Sequence, residues 1–289
     1  MKAMNKRIPA TIIRPLLTLC LALTAWTQAG AQGVVIYKTN GETTILQASD
    51  IKEIVPFGYG EKPWTEVTGG KVYTVNGVKF TMVEVEGGSC TYTSRHIYRL
   101  EKFSIGQTEV TQALWEAVMG SNPSYSKGMI GPNFPVNNVS WHDCQTFIVK
   151  LNQLTGLEFR LPNQFEWYYA AFGGNNGKKY KFSGSDDAGE VAWYSANSDW
   201  HVHEVATKSP NELGIYDMSG NVEEWCYNWY GSLPSSGAIG TSYQGPANKT
   251  ERAYKGGGYT SSESELNNGW GFSYAPSSKY SYLGLRLAL

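Results

Sequence analysis

Gly214-Ile215-Tyr216-Asp217-Met218-Ser219-Gly220-Asn221-Val222-Glu223-Glu224-Trp225 is the stretch around which the rest of this chain is organised. It starts apolar, passes through a short polar loop and enters a Trp-rich segment ending at Trp229. Asp217 and Glu224 stand seven residues apart, and Gly220 between them lets the backbone turn back. A hard cation such as calcium takes roughly six to eight oxygens from carboxylates and carbonyls. This loop offers two carboxylates and several inward carbonyls. The plain alternative is a turn in which Asp217 bonds its own backbone and Glu224 stays in solvent. Spacing alone leaves both open.

A chain of 289 residues is long enough for one large domain, or one domain with a small appendage. A net charge of −1 gives no general attraction to nucleic acid or to an anionic membrane surface. Charged residues make up 17%, aromatics 13%, and there are 32 glycines, a mix that favours a loop-rich fold held by buried rings. At the N-terminus Lys2, Lys6, Arg7 and Arg14 flank an apolar run at 16–25 that is too short to span a bilayer. Ala29-Gly30-Ala31 supplies a small-residue cleavage site, so residues 1–31 are expected to be a signal peptide. The protein is then exported, to the periplasm, the cell surface or the medium, with no membrane span. Beyond it remain Cys90, Cys144 and Cys226, an odd number that allows at most one disulfide. Cys144 falls on an apolar helix face, where a buried free thiol is expected.

Residues 32–57 form a small β module by pattern. Val34-Val35-Ile36-Tyr37 is β-rich, Asn40-Gly41 is a hairpin turn, and 43–46 is the return strand. Residues 58–69 have linker character, and 70–289 make the main domain. Strands are expected at 72–75 and 79–85, joined at Asn76-Gly77, and at 98–105. A helix over 108–119 carries Leu114, Trp115, Val118 and Met119 on one face and stops at Gly120. Ser140 with Asp143 opens a second helix whose face is Cys144, Phe147, Ile148 and Leu151, ending at Gly156. Asn163 with Glu166 opens a third, through Ala171. Helical periodicity then disappears, and the pattern is α+β. Trp141, Trp167, Trp193, Trp225, Trp229 and Trp270 are core candidates, with Trp200 and Trp270 the ones that tolerate a surface position.

No Gly-x-Ser-x-Gly elbow and no phosphate-binding glycine loop occurs in the sequence. His201-Val202-His203 would put both rings on one face of an extended segment, but no third ligand stands nearby. Residues 259–282 are dense in Tyr, Ser, Asn and Trp, the composition of a paratope. Ser261, Ser262, Asn267, Trp270, Tyr274, Tyr280 and Tyr282 are the candidate ligand-binding residues there. The alternative is a loop-rich surface with incidental Tyr and Ser.

Asp217-Met218-Ser219-Gly220-Asn221-Val222 with Glu224-Trp225, preceded by Pro210-Asn211-Glu212-Leu213-Gly214, resembles the formylglycine-generating enzyme, or sulfatase-modifying-factor, family. Ile105-Gly106-Gln107-Thr108-Glu109-Val110-Thr111, Pro135-Val136-Asn137-Asn138-Val139-Ser140-Trp141, Phe159-Arg160-Leu161-Pro162 with Glu166-Trp167, Lys255-Gly256-Gly257-Gly258 and Gly284-Leu285-Arg286 agree in the same order. The resemblance implies the C-type-lectin-like variant of α+β. It implies calcium on the side chains of Asp217 and Glu224 and the carbonyls of Gly220 and Val222. The family's other calcium site maps near Val191 and loses its side-chain ligand. The family's oxidase uses copper held by two cysteines after a Gly-Gly-Ser-aromatic motif. Here that motif is Gly256-Gly257-Gly258-Tyr259, and the two positions are Ser261 and Leu266. Neither residue supplies a soft thiolate, so copper chemistry is not expected. An iron-dependent branch of the family uses a His-x-x-x-His-x-Glu motif that this chain lacks. Residues 32–57 resemble a leader module of exported Bacteroidetes proteins. The expectation is an exported, non-catalytic, calcium-stabilised binding or structural module, monomeric, with an unknown protein or carbohydrate ligand. The alternatives are an active formylglycine-generating oxidase and a diversified ligand-binding protein.

Overall fold

Thr111, Ser140 and Asn163 each end an extended segment and start a helix by accepting a backbone N–H of the first turn. The structure is a computed structural model. It describes residues 64–94, 96–125, 129–247 and 250–289, together with the strands Gly33–Tyr37 and Thr43–Gln47. The chain divides into two units, Met1–Pro63 and Trp64–Leu289. In the first, β1 (Gly33–Tyr37) pairs antiparallel with β2 (Thr43–Gln47), the hairpin that the sequence predicts. The expected signal peptide at 1–31 and the linker residues 58–63 lie outside the described residues.

In the second unit, β3 (Trp64–Val67) pairs antiparallel with β4 (Gly70–Val75), so structure begins inside the expected linker 58–69. Trp64 packs on Tyr73 with ring centroids 5.7 Å apart, which gives this edge strand an anchor that composition did not show. β5 (Val78–Val85) follows the Asn76-Gly77 turn as expected. The expected single strand at 98–105 is two strands in different sheets. β7 (His96–Leu100) pairs with β6 (Gly88–Thr93), whereas β8 (Phe103–Gly106) pairs with β5.

α1 spans Gln112–Met119 and starts four residues later than the periodicity suggested. Val110 N–H donates to the Leu285 carbonyl and Thr111 bridges Pro135, which holds that segment extended. α2 (Trp141–Thr155) has the expected Ser140–Asp143 capping box and a left-handed Gly156 at its end. Its Cys144, Phe147, Ile148 and Leu151 enter a core with Trp115, Tyr73, Phe159, Trp225 and Leu285. Trp115 lies flat on Phe147 at 4.8 Å. α3 (Gln164–Ala171) is buried on every side, which is why it shows no amphipathic stripe. α4 is a single turn, Ala188–Val191.

β9 (Glu223–Trp229) lies between β11 (Arg252–Lys255, antiparallel) and β13 (Leu283–Leu285, parallel). β12 (Gly271–Tyr274) is the outer neighbour of β11, and β10 (Gly237–Ile239) runs parallel to β7. Among the described residues these strands make three mixed or antiparallel sheets, and with α1–α3 they confirm the α+β class. No helix of the described residues is long and apolar enough to cross a membrane. Trp141, Trp167 and Trp225 are buried, Trp193 and Trp229 half-buried, and Trp200 and Trp270 exposed.

Candidate functional site

The opening loop leads directly into the central strand β9. Asp217 (φ 58°), Gly220 (φ 86°) and Asn221 (φ 60°) take left-handed backbone conformations, which Asp and Asn tolerate among non-glycine residues. At Gly220 a Cβ would meet the Trp193 carbonyl oxygen at 2.3 Å, so only glycine fits. Asn221 then ties three segments together. Its side chain donates to Glu109 and to the His203 carbonyl, and accepts from the His203 N–H.

Side chains alternate along β9. Glu224 points to the face shared with Cys226, and Glu223 to the face shared with Trp225. Glu224 is fully buried and saturated. Arg286 donates to its carboxylate through Nε at 3.0–3.1 Å and Nη2 at 2.7 Å, and Trp167 Nε1 donates at 2.6 Å. Arg286 also donates to the carbonyls of Gly106 and Tyr216, so its guanidinium is held from several sides. Glu109 lies in the same cluster and accepts from Val222 N–H and from Asn221. Burial, then the charges of Asp217 and Glu224, push its carboxyl well above the usual range. Burial likewise raises Asp217 to about 6, although its Oδ2 accepts the Ala206 N–H at 2.7 Å.

This geometry bears on the expected calcium set. The positive charge facing Glu224 is the guanidinium of Arg286. A calcium ion on Asp217, Gly220, Val222 and Glu224 would have to displace that guanidinium and the Trp167 donor. The arranged residues do not fit a calcium site at Glu224. Glu109 and Arg286 stand in the family blocks of the sequence, yet the sequence reading assigns neither a role. The signal that could have found the network is a lone Arg within the apolar run Leu285-Arg286-Leu287.

His201 and His203 line an open cavity of about 340 Å³ with Met129, Phe134 and Trp193. His203 stacks on Trp193 at 3.7 Å, and its Nε2 lies 3.0 Å from the Ser198 carbonyl. One face of Trp193 is therefore covered by His203, and Lys208 Nζ lies 4.1 Å from its ring centroid.

The expected ligand-binding segment is not uniformly exposed. Ser261 is buried and its Oγ accepts the Gly258 N–H, and Leu266 is wholly buried. Ser262 is exposed and caps a short 3₁₀ turn through Glu265, and Asn267 is half-buried, bonding Ser264 and Gly269. Tyr274, Tyr280 and Tyr282, expected to project into solvent, are half-buried against the main core. Tyr274 stacks on Tyr254 at 4.5 Å and packs on Tyr280 at 4.7 Å, and Tyr280 stacks on Tyr282 at 5.2 Å. The exposed aromatics of this segment are Trp270, which was expected to bind, and Phe272, which was not. Phe272 packs on Tyr230 at 5.3 Å. Cys90, Cys144 and Cys226 are all buried and free, and burial pushes all three thiols up, that of Cys90 to about 11.

Comparison with known proteins places this arrangement. A chaperone protein LppX from Paenibacillus barcinonensis is 35% identical over 236 residues, covering 63% of this chain and 79% of its own. A formylglycine-generating enzyme from Streptomyces coelicolor is 29% identical over 148 residues, and this chain spans only 45% of its length. Among solved structures, Treponema denticola variable protein 1 superposes with a TM-score of 0.69 at 31% identity, over 78% of this chain and 99% of that one. The sulfatase-modifying factor enzyme 1-like domain matches residues 67–289, and the chain belongs to that family.

Proposed function

We propose that this protein is a non-catalytic member of the family, of the C-type-lectin-like variety, whose domain serves as a binding module. The observation that carries the reading is the pair Ser261 and Leu266. By the family resemblance they stand where the oxidase has its copper thiolates; here one is buried and bonded to backbone and the other is wholly buried. Neither offers a soft ligand for copper. The described cysteines lie in the hydrophobic clusters, with thiols far from ionising at neutral pH. A relative named as a chaperone and a structural neighbour named as a variable protein agree with a binding role. The exposed surface of 262–272, with Trp270 and Phe272, is the face assigned to the ligand, a protein or carbohydrate. Export is part of the proposal and rests on the sequence of residues 1–31. Mass spectrometry of the protein recovered from cells tests it, since removal of residues 1–31 is expected. The enzymatic alternative is tested by incubating the protein with copper and a peptide carrying a sulfatase-type cysteine. An unchanged peptide mass is expected, and conversion of its cysteine would overturn the reading.

A further inference from the structure

The open cavity at His201 and His203 lies outside the surface of 262–272, and its walls are tied to one another. They come from the segment at 129–134, from Trp193 and from the turn at 198–207. Val205 N–H donates to the Asn133 carbonyl, and Trp193 Nε1 donates to the Thr207 hydroxyl. Ser198 holds the turn. Its Oγ donates to the Tyr259 carbonyl and accepts the Trp200 N–H, while its carbonyl accepts the His201 N–H. Asp199 (φ 52°) and Trp200 (φ 61°) are both left-handed, a conformation that Asp tolerates and that is unusual for a residue as bulky as Trp. Such strain persists only where the surroundings over-determine the backbone. The turn that carries Asp199 to the cavity is therefore pre-organised.

The apolar part of the lining is Val202, buried against Tyr259, with Met129 and Phe134 packed on that cluster. The polar part is rich in acceptors. Asp199 and Glu204 line the cavity, are exposed, and join none of the ion pairs of the described residues. No Lys or Arg lines it. Lys208 sits on the face of Trp193 away from His203 and donates to the Gly189 carbonyl at 2.6 Å, so its charge is engaged elsewhere. A carbonyl can only accept, so His203 Nε2 donates to the Ser198 carbonyl, and in the neutral ring Nδ1 is left as an acceptor. A volume of about 340 Å³ lies at the low end of the roughly 300–1,000 Å³ of small-molecule sites. We propose that this cavity binds a small organic cation, a primary ammonium on an apolar or aromatic body. The body packs on Met129, Phe134 and Val202, where the flexible Met adapts to its shape. The ammonium meets the carboxylates of Asp199 and Glu204, and the Phe134 ring adds an attraction for positive charge.

Isothermal titration of the protein with phenethylamine, n-hexylamine, the uncharged phenethyl alcohol and the anion phenylpropionate tests the site. The expected result is saturable binding of at least one amine, with phenethylamine about fivefold or more tighter than the alcohol, as two exposed charge pairs allow. The anion should not bind saturably. The double variant Asp199→Asn with Glu204→Gln should bring phenethylamine to within about twofold of the alcohol, the charge pairs being lost. Both side chains are exposed and Asn tolerates the left-handed backbone at 199, so a melt should find the variant folded. Phe134→Leu should weaken amine and alcohol together, which places both in this cavity. Equal binding of phenethylamine and the alcohol by the parent, no saturable binding of either amine, or an undiminished amine preference in the double variant would overturn the site. An acetylated Gly-Lys-Gly amide that binds about tenfold tighter than both amines would overturn the free molecule as occupant, in favour of a partner's side chain. None of these results touches the non-catalytic reading, which stands or falls on the peptide-oxidation assay.

Discussion

Glu223 and Glu224 are neighbours on one strand, and the fold treats them in opposite ways. Glu224 enters a network in which Arg286 and Trp167 occupy both of its oxygens, and it is wholly buried. Glu223 enters a wall of tyrosines with one oxygen unpartnered. Two identical residues thus differ only in which sheet face they meet. One is part of the scaffold that joins the loop at 217–222, β9 and the end of the chain. The other is a weakness of that scaffold, a buried carboxyl with one oxygen left without a partner.

Breaking the saturated side gives the largest effect. Glu224→Gln leaves Arg286 without its charge partner, and removing one partner of a buried pair costs about 3–5 kcal/mol. Urea denaturation at pH 7 should show that loss, and a change below about 1 kcal/mol would mean that the network adds little.

The unsaturated side should respond with the opposite sign. The Glu223 carboxyl is raised in the folded state, so folding favours its protonated form. Its contribution is fully present below the unfolded value of 4.5 and is lost as pH rises to about 8. Glu223→Gln should therefore be more stable than the parent at pH 9, by about 2 kcal/mol or more, and nearly equal to it at pH 4. Asp217, raised to about 6, gives a smaller fall of the same sign between about pH 4 and 6. That fall should persist in the variant, which separates the two faces in one pH series of melts.

Tyr280→Ala probes the tyrosine wall itself. Tyr280 is half-buried between Tyr274 and Tyr282, so a loss of about 2 kcal/mol is expected, roughly half the cost of truncating a fully buried aromatic. Ser262→Ala removes an exposed cap of a short turn and should cost about 0.5–1 kcal/mol in the same melt.

The legibility of the sequence divides along the same line. Capping boxes at Ser140 and Asn163 and the turn at Asn76-Gly77 are local signals, and the structure has them where they were expected. The start of α1 and the split at 98–105 were missed, because pairing with the chain end and with a second sheet overrode the local pattern. The site was legible as a loop but not as a network. Arg286 reaches Glu224 across 62 positions of sequence, and no spacing rule encodes that contact. The tyrosines at 274, 280 and 282 were visible by composition. Their half-buried state was not, since it depends on which residues β11 and β9 place beneath them.

The smallest expected effect is that of calcium removal. Family resemblance puts calcium on the loop through Asp217 and Glu224, which would stabilise the fold by about 2.7 kcal/mol at a hundred times its dissociation constant. The arranged side chains argue against it. Binding would require Glu224 to give up the two donor groups of Arg286 and Trp167 inside a fully buried site, and each lost hydrogen bond to a charged group costs about 1.5–3 kcal/mol. Thermal melts with excess calcium and with chelator should therefore coincide at pH 7. A melt that falls with chelator, and that no longer does so in Glu224→Gln, would show that calcium, and not Arg286, neutralises this carboxylate.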